Sequence, residues 1–101
     1  MKYIVQTNKT IKKACEDLEK AVSENKFGIL HVHDLKGTLK KKGVDFSNEC
    51  RVFEVCNPHQ ANAVLTKDMD LNMALPCRIS VWEEDNQIKI GTLEPTNFCL
   101  S

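Results

Sequence analysis

The sequence predicts an α+β fold: a two-layer sandwich with helices on one face of a largely antiparallel, twisted sheet. Helical and strand patterns alternate along most of the chain, but the last two strands follow one another through a short acidic turn. A doubly wound α/β fold would need a crossover helix there and a phosphate-binding glycine cluster, and the chain has only four glycines. Its 101 residues suit a single domain, 1–101, with one hydrophobic core.

The chain begins with a short strand and an amphipathic helix. Residues Tyr3 to Gln6 predict the strand, and the polar residues after it, Thr7, Asn8 and Thr10, can cap a helix. Apolar residues then recur at the spacing of one helix face, with charged residues between them. These apolar positions are Ile11, Ala14, Cys15, Leu18, Ala21 and Val22. The pattern predicts a helix that buries one side.

The second strand is followed by a helix with signals at both ends. Phe27 to His33 has strand character, and a period of two would place His31 and His33 on the side of Ile29, opposite Leu30 and Val32. Asp34 predicts a cap for a short helix from Leu35 to Lys42, whose lysines suit the negative end of the helix dipole. Gly43 fits a left-handed stop.

The remaining pattern predicts a strand, a helix and a hairpin. Arg51 to Cys56 forms the strand, and Asn57-Pro58-His59-Gln60 opens the helix with a capping residue, a proline at the first helical position and a glutamine at the capping-box position. The segment from Thr66 to Leu75 has the character of a loop. Cys77 to Trp82 and Gln87 to Leu93 then pair around an acidic turn.

Composition and charge exclude several classes of function. Fourteen basic and fourteen acidic residues cancel, so the long-range field that draws proteins to nucleic acid or to anionic membranes is missing. No apolar run suits a signal peptide or a membrane span, and we expect a cytoplasmic protein. The five cysteines include no C-x-x-C pair and are expected to be reduced. Sequence motifs of kinases, serine hydrolases, zincins and EF-hands are absent.

Cys56 and Cys77 stand at the borders of predicted strands and give the clearest chemical lead. Cys56 lies just before a helix, where amides and the helix dipole would stabilise a thiolate, so it is our candidate nucleophile or ligand. The alternative, which base rates favour, is a small buried residue where strand becomes helix. If the two cysteines are neighbours, a reversible disulfide, a shared metal and simple co-burial are all open, with co-burial favoured.

His31 and His33 form an H-x-H pair, about 7 Å apart by strand rise. Such a pair can hold a metal when a third ligand joins it, for example Asp34 or a cysteine. Histidines bonded to backbone are commoner, so we assign no metal site. A basic cluster of Lys36 and residues 40–42 is explained by a solvated helix end, with phosphate binding as the weaker alternative.

Several stretches resemble one family of small domains. They are Gly28-Ile29-Leu30-His31-Val32-His33-Asp34-Leu35, Gly43, Cys56-Asn57-Pro58 with Ala61 and Leu65, and Leu75-Pro76-Cys77-Arg78-Ile79. In these the chain resembles the domain of unknown function 302 family, over about residues 27–95. The resemblance implies a compact α+β domain whose defining motifs include Cys56, Pro58, Pro76, Cys77 and Arg78. It implies no activity, substrate or cofactor.

The resemblance also bears on assembly. Family members continue beyond Glu94-Pro95-Thr96 into a C-terminal helix, and only Asn97-Phe98-Cys99-Leu100-Ser101 follow here, so we expect this helix to be missing. We expect a second subunit to cover the sheet in its place, most simply in a two-fold dimer that buries more than about 1,000 Å². Leu93, Phe98 and Leu100 are the residues expected at that contact.

The sequence leaves three functions open. The first is a ligand-binding or sensing module with a site formed by Cys56, Asn57, Cys77, Arg78, His31 and His33. The second is a thiol-dependent enzyme or redox protein in which Cys56 is the catalytic residue. The third is a structural homo-oligomer. No cofactor or ligand is identified by the residues.

Overall fold

The computed structural model describes residues 2–75 and 77–93. The strands are β1 (Lys2–Thr7), β2 (Gly28–Asp34), β3 (Cys50–Cys56), β4 (Cys77–Glu84) and β5 (Gln87–Leu93). The helices are α1 (Ile11–Glu24), α2 (Leu35–Lys41) and α3 (Pro58–Lys67), followed by a 3₁₀ helix over Met69–Ala74. The five strands form one sheet in the order β1-β5-β4-β3-β2, and every neighbouring pair is antiparallel. With helices on one face of this sheet, the predicted α+β sandwich is confirmed.

Side chains cap the starts of the helices as the sequence predicts. Thr10 Oγ1 accepts a hydrogen bond of 3.1 Å from the backbone N–H of Lys13, and Asp34 Oδ1 accepts one of 3.1 Å from the N–H of Gly37. These acceptors satisfy amides that have no partner within the first helical turn. The helix beginnings are therefore set by local chemistry.

Gly43 ends α2 as expected. Its φ angle of +82° lies in the left-handed region, which costs glycine little because it has no Cβ. The Gly43 N–H donates to Lys40 O and the Val44 N–H donates to Leu39 O, so the last carbonyls of the helix have partners. The helix itself ends at Lys41, one residue before the predicted end.

A two-residue turn joins β4 to β5. Asp85 and Asn86 have φ angles of 54° and 62°. Positive φ at both central positions is the geometry of a type I′ turn, whose twist matches that of the paired strands. The predicted closing hairpin forms around this turn.

The hydrophobic core lies between α1 and the centre of the sheet. Ala14, Cys15 and Val22 of α1 are buried against strand residues that share one face of the sheet. Those strand residues are Phe53, Val55, Val81 and Ile88. We call the other face of the sheet, which carries no helix within the described chain, the open face.

The structure corrects the predicted faces of β2. Ile29 pairs with Val55 and His31 pairs with Glu54, so Leu30 is an extra residue that forms a β-bulge. The bulge breaks the period of two, and Ile29 and Val32 both lie on the core face. His31 and His33 therefore lie on the open face, opposite Ile29.

The segment predicted as a loop is partly helical. Helix α3 continues to Lys67, and the 3₁₀ helix begins directly after Asp68. Asp68 Oδ1 accepts a hydrogen bond of 3.1 Å from the Asp70 N–H, which fixes this start. The capping carboxylate was missed because no apolar periodicity follows it. None of the helices in residues 2–75 and 77–93 is both long and apolar enough to cross a membrane.

Candidate functional site

Glu54 is the centre of a polar group on the open face. In the sheet it lies opposite His31 of β2 on one side and opposite Arg78 of β4 on the other. Its Oε2 atom is 3.3 Å from His33 Nε2 and 3.4 Å from Arg78 Nε. The strand register thus brings side chains from the two neighbouring strands onto the Glu54 carboxylate.

The two histidines of this group contact each other. The imidazole rings of His31 and His33 have centroids 4.3 Å apart and planes inclined at 71°, an edge-to-face arrangement. His31 is exposed, and the side chain of His33 is 39% exposed. Within the part of the chain that is described, no three His, Cys, Asp or Glu side chains are placed to hold a metal ion.

The environment of Glu54 favours its charged form. The hydrogen bond from His33 is the largest influence and lowers the pKa of the Glu54 carboxyl. Loss of hydration opposes this change, while the charges of His33 and Arg78 add to it. Glu54 is therefore an anion that orients His33 and Arg78.

A small cleft lies on the helix side of the same end of the sheet. It is bordered by β3, the start of α3 and the start of β4, through Phe27, Val55, Cys56, Asn57, Gln60, Ala61, Leu75 and Cys77. It encloses about 190 Å³ with the solvent at its mouth included, and its interior has room for about one water molecule. This is smaller than the pockets that enclose a drug-sized molecule.

Cys56 and Cys77 both border the cleft but are not bonded to each other. Cys56 is a free thiol, whereas Cys77 is disulfide-bonded, so the expectation that all the cysteines are reduced is wrong. Cys77 pairs with Val55 in the sheet, so strand alternation turns the Cys56 side chain to the opposite face from that of Cys77. The alternatives of a Cys56–Cys77 disulfide and of a metal shared by both thiolates are therefore wrong.

The amides beside Cys56 are occupied. Asn57 Oδ1 accepts hydrogen bonds of 3.1 Å from the backbone N–H groups of His59 and Gln60. This confirms the predicted cap of α3. It also means that these two amides are not available to stabilise a Cys56 thiolate, as the sequence had suggested.

Burial acts on the thiols of the free cysteines Cys15 and Cys50. Cys15 is 9% exposed in the core, and burial raises the pKa of its thiol. Burial also raises the pKa of the Cys50 thiol. Cys56 is a half-buried free thiol that borders the cleft.

The six predicted site residues thus fall into two adjoining groups. His31, His33 and Arg78 come together on the open face, and Cys56, Asn57 and Cys77 border the cleft. Cys56 lies two positions after Glu54 in β3 and therefore on the same face of the sheet. It also borders the cleft, so the two groups meet at this residue. Glu54 itself was missed, because only the register between strands reveals it.

Family comparison supports this architecture. The family model described as "Domain of unknown function DUF302" matches residues 3–100. The chain belongs to the DUF302 family. A crystal structure of an uncharacterized conserved DUF302 protein from Bacillus stearothermophilus is similar to it, with a TM-score of 0.90 and 34% identity over 94% of this chain and 74% of that chain. No curated protein matches this DUF302 chain.

DUF302 membership confirms the resemblance drawn from the sequence motifs and extends it to the first strand and helix. The family description names no activity. Any function for this DUF302 domain must therefore be argued from its own residues.

Proposed function

We propose that this DUF302 chain is a cytoplasmic ligand-binding module, and that its ligand carries an anionic group. The site would be the end of the sheet where His31, His33 and Arg78 surround Glu54. The observation that carries the proposal is the convergence of two exposed side chains, His33 (39% exposed) and Arg78 (61% exposed), on the Glu54 carboxylate.

Arg78 supplies donors for such a ligand. Its side chain is 61% exposed and pairs with Glu54 through Nε. Its terminal Nη atoms make no hydrogen bond with residues 2–75 or 77–93. A guanidinium held at Nε presents these atoms in a fixed plane, which suits a carboxylate or phosphate oxygen.

His31 and His33 extend this surface. Their rings are in contact, so they form one imidazole patch beside Arg78. His31 can donate a hydrogen bond to an anion. His33 already donates through Nε2 to Glu54, so it would donate to the ligand only when its second ring nitrogen is protonated, which would also add positive charge. Glu54 balances the charge of Arg78 in the free protein and orients these donors.

The cleft is too small to hold the ligand itself. It admits about one water molecule, so the bulk of any ligand would lie on the open face. Cys56 and Asn57 would then form the boundary of the site, with the Asn57 cap keeping the start of α3 in place.

An NMR titration tests the proposal. Inorganic phosphate and citrate are added to ¹⁵N-labelled protein, and we expect amide shifts to concentrate at His31, His33 and Arg78. Arg78→Gln should weaken the apparent affinity at least about ten-fold, the effect of losing one charge-assisted contact. Lys89→Gln is the matched control, because Lys89 also lies on the open face and pairs instead with Glu84.

Two outcomes would overturn the proposal. One is that neither anion shifts any of the three site amides at millimolar concentration. The other is that the shifts concentrate at Lys40, Lys41 and Lys42, the basic end of α2, and are unaffected by Arg78→Gln.

A thiol-dependent function is the second candidate, and the half-buried free Cys56 favours it. Alkylation by iodoacetamide near neutral pH, followed by mass spectrometry of the peptides, tests it. We expect Cys56 to react before Cys15 and Cys50, because burial raises the pKa of both these thiols and reduces their thiolate fraction. If all three thiols resist until denaturant is added, this candidate fails.

A further inference from the structure

The two edges of the sheet differ in how open they are to another strand. β1 and β2 are the outermost strands in the order described. β1 keeps an unbroken register with β5 over all six of its residues, from Lys2 opposite Leu93 to Thr7 opposite Ile88. A regular edge strand presents a row of backbone donors and acceptors that another strand can pair with.

The β2 edge carries features that oppose such pairing. The bulge at Leu30 interrupts its regular geometry, and Asp34 adds a charge at its end. Bulges and charges are devices by which proteins protect sheet edges. β1 has no bulge, and its one charged residue is Lys2 at its first position.

β1 also exposes three large apolar side chains. Tyr3, Ile4 and Val5 are 49%, 47% and 62% exposed. Tyr3 and Val5 lie on the core face, because their partners Thr92 and Ile90 do, and Ile4 lies on the open face opposite Gly91. Both faces of this edge therefore expose apolar surface.

We propose that β1 pairs with β1 of a second copy of this chain in an antiparallel two-fold dimer, with Ile4 opposite the partner's Ile4. Opposed residues in an antiparallel pair point to the same face, which restricts the register to sums of residue numbers that are even. The register centred on Ile4 places Tyr3 opposite the partner's Val5 and Lys2 opposite the partner's Gln6. It is self-complementary, since each apolar side chain meets another and no like charges meet.

The register centred on Val5 is less favourable. It would place Tyr3 opposite Thr7 and Ile4 opposite Gln6. Aromatic and β-branched residues stabilise one another across strands, and the Ile4-centred register makes two Tyr3–Val5 pairs and one Ile4–Ile4 pair. A two-fold contact of this kind closes after two copies.

The size of the contact sets the expected affinity. Six strand residues on each side are fewer than the 20–30 or so of a standard interface, so association should be micromolar or weaker. This inference does not depend on the proposed ligand site, which lies around β2, β3 and β4. It also differs from the dimer expected at Leu93, Phe98 and Leu100, because the contact is made by β1; Phe98 and Leu100 lie outside the described residues.

A cross-linking experiment tests the register. In the proposed dimer the two Ile4 α-carbons are about 4.5–5.5 Å apart, within disulfide range, so Ile4→Cys should give a dimer on a non-reducing gel after mild oxidation. Gln6→Cys is the matched control on the same face: its symmetry mate is about four residues further along the strand, roughly 13 Å away, and it should not cross-link. The unsubstituted chain gives the background from its own cysteines.

Light scattering at protein concentrations between about 10 µM and 1 mM tests whether the chain associates through β1. The mass should rise from the 11.5 kDa of one chain toward twice that value. Val5→Lys should raise the dissociation constant at least about ten-fold because it buries a charge, whereas Leu30→Lys, a change of a 60% exposed apolar residue on the other edge, should leave it unchanged. Circular dichroism confirms that both variants fold, and Ile4→Cys reports independently if one does not.

Three results would overturn the inference. The mass could stay at that of one chain across the range, Leu30→Lys could disrupt the dimer while Val5→Lys does not, or Gln6→Cys could cross-link as well as Ile4→Cys.

Discussion

At the scale of single residues, Glu54 organises the open face through charge. It accepts from His33 and pairs with Arg78, and these partners lower the pKa of its carboxyl. A pKa that is lower in the folded state means that folding favours the charged carboxylate. The associated stability is present above the ordinary carboxyl pKa and is lost as the pH falls through the folded pKa.

His33→Gln should therefore raise the pKa of Glu54 toward its ordinary value, since the hydrogen bond from His33 is the largest influence on it. The carboxyl ¹³C shift followed between about pH 2 and pH 7 measures this pKa. Lys89→Gln is the reciprocal control: it should leave the Glu54 titration unchanged and raise the pKa of Glu84, which Lys89 lowers. An unchanged Glu54 titration in His33→Gln would contradict the ion-pair geometry.

Gly91 matters through close packing. A Cβ at this position would lie 3.0 Å from Trp82 Cη2, 3.0 Å from the Tyr3 carbonyl oxygen and 3.2 Å from Ile4 Cγ1. The indole of Trp82 thus approaches the backbone of β5 where no side chain intervenes. Because one of these neighbours is backbone, the sheet must shift to admit a methyl group.

Gly91→Ala should lower the free energy of unfolding by about 1–3 kcal/mol, the cost of overpacking. Gly28→Ala is the matched control in another strand, because its nearest neighbour to a new Cβ is Cys56 O at 3.8 Å. That change should be neutral or slightly stabilising. Urea unfolding measures both, and equal stability of the two variants would show that the contact at Gly91 is not tight.

The site shows what residue patterns can and cannot predict. His31, His33 and Arg78 were singled out by spacing and by family motifs, and the structure places them together. Their meeting point, Glu54, depends on pairing between strands far apart in the sequence. The bulge at Leu30, which decides the face of both histidines, has no glycine or other local signal to mark it.

At the scale of elements, helix starts are encoded most directly. Thr10, Asp34 and Asn57 each accept backbone hydrogen bonds at the positions that the sequence predicts. Capping depends on residues within one turn, so a local pattern suffices. The sequence predicted a loop in place of the 3₁₀ helix and the end of α3. Only Asp68 separates these two helices, so no run of turn residues marks the boundary between them.

Asn57→Ala should lower the free energy of unfolding by about 1 kcal/mol, because it removes the oxygen that accepts from His59 and Gln60. Asn62→Ala is the control within α3, since Asn62 is exposed in the helix and alanine is the better helix former. It should be neutral or stabilising. If thermal unfolding shows the two variants to be alike, the cap does not stabilise α3.

At the scale of the whole molecule, the two faces of the sheet have different roles. One face packs against helices and forms the core, and the open face carries the polar group around Glu54. The sequence predicted this fold class because the closing hairpin and the capped helices are local features. The strand order could not be predicted from the sequence, because β1 pairs with β5, which lies near the other end of the chain.

The central claim is that the open face around Glu54 binds an anionic group, and a crystal soaked with tungstate tests it most directly. Tungstate mimics phosphate, and its anomalous scattering locates it without ambiguity. We expect a peak within hydrogen-bond distance of the Arg78 Nη atoms and of the imidazole of His31 or His33, and no such peak in Arg78→Gln crystals. A peak at Lys40–Lys42 alone, or none anywhere on the open face, would contradict the claim.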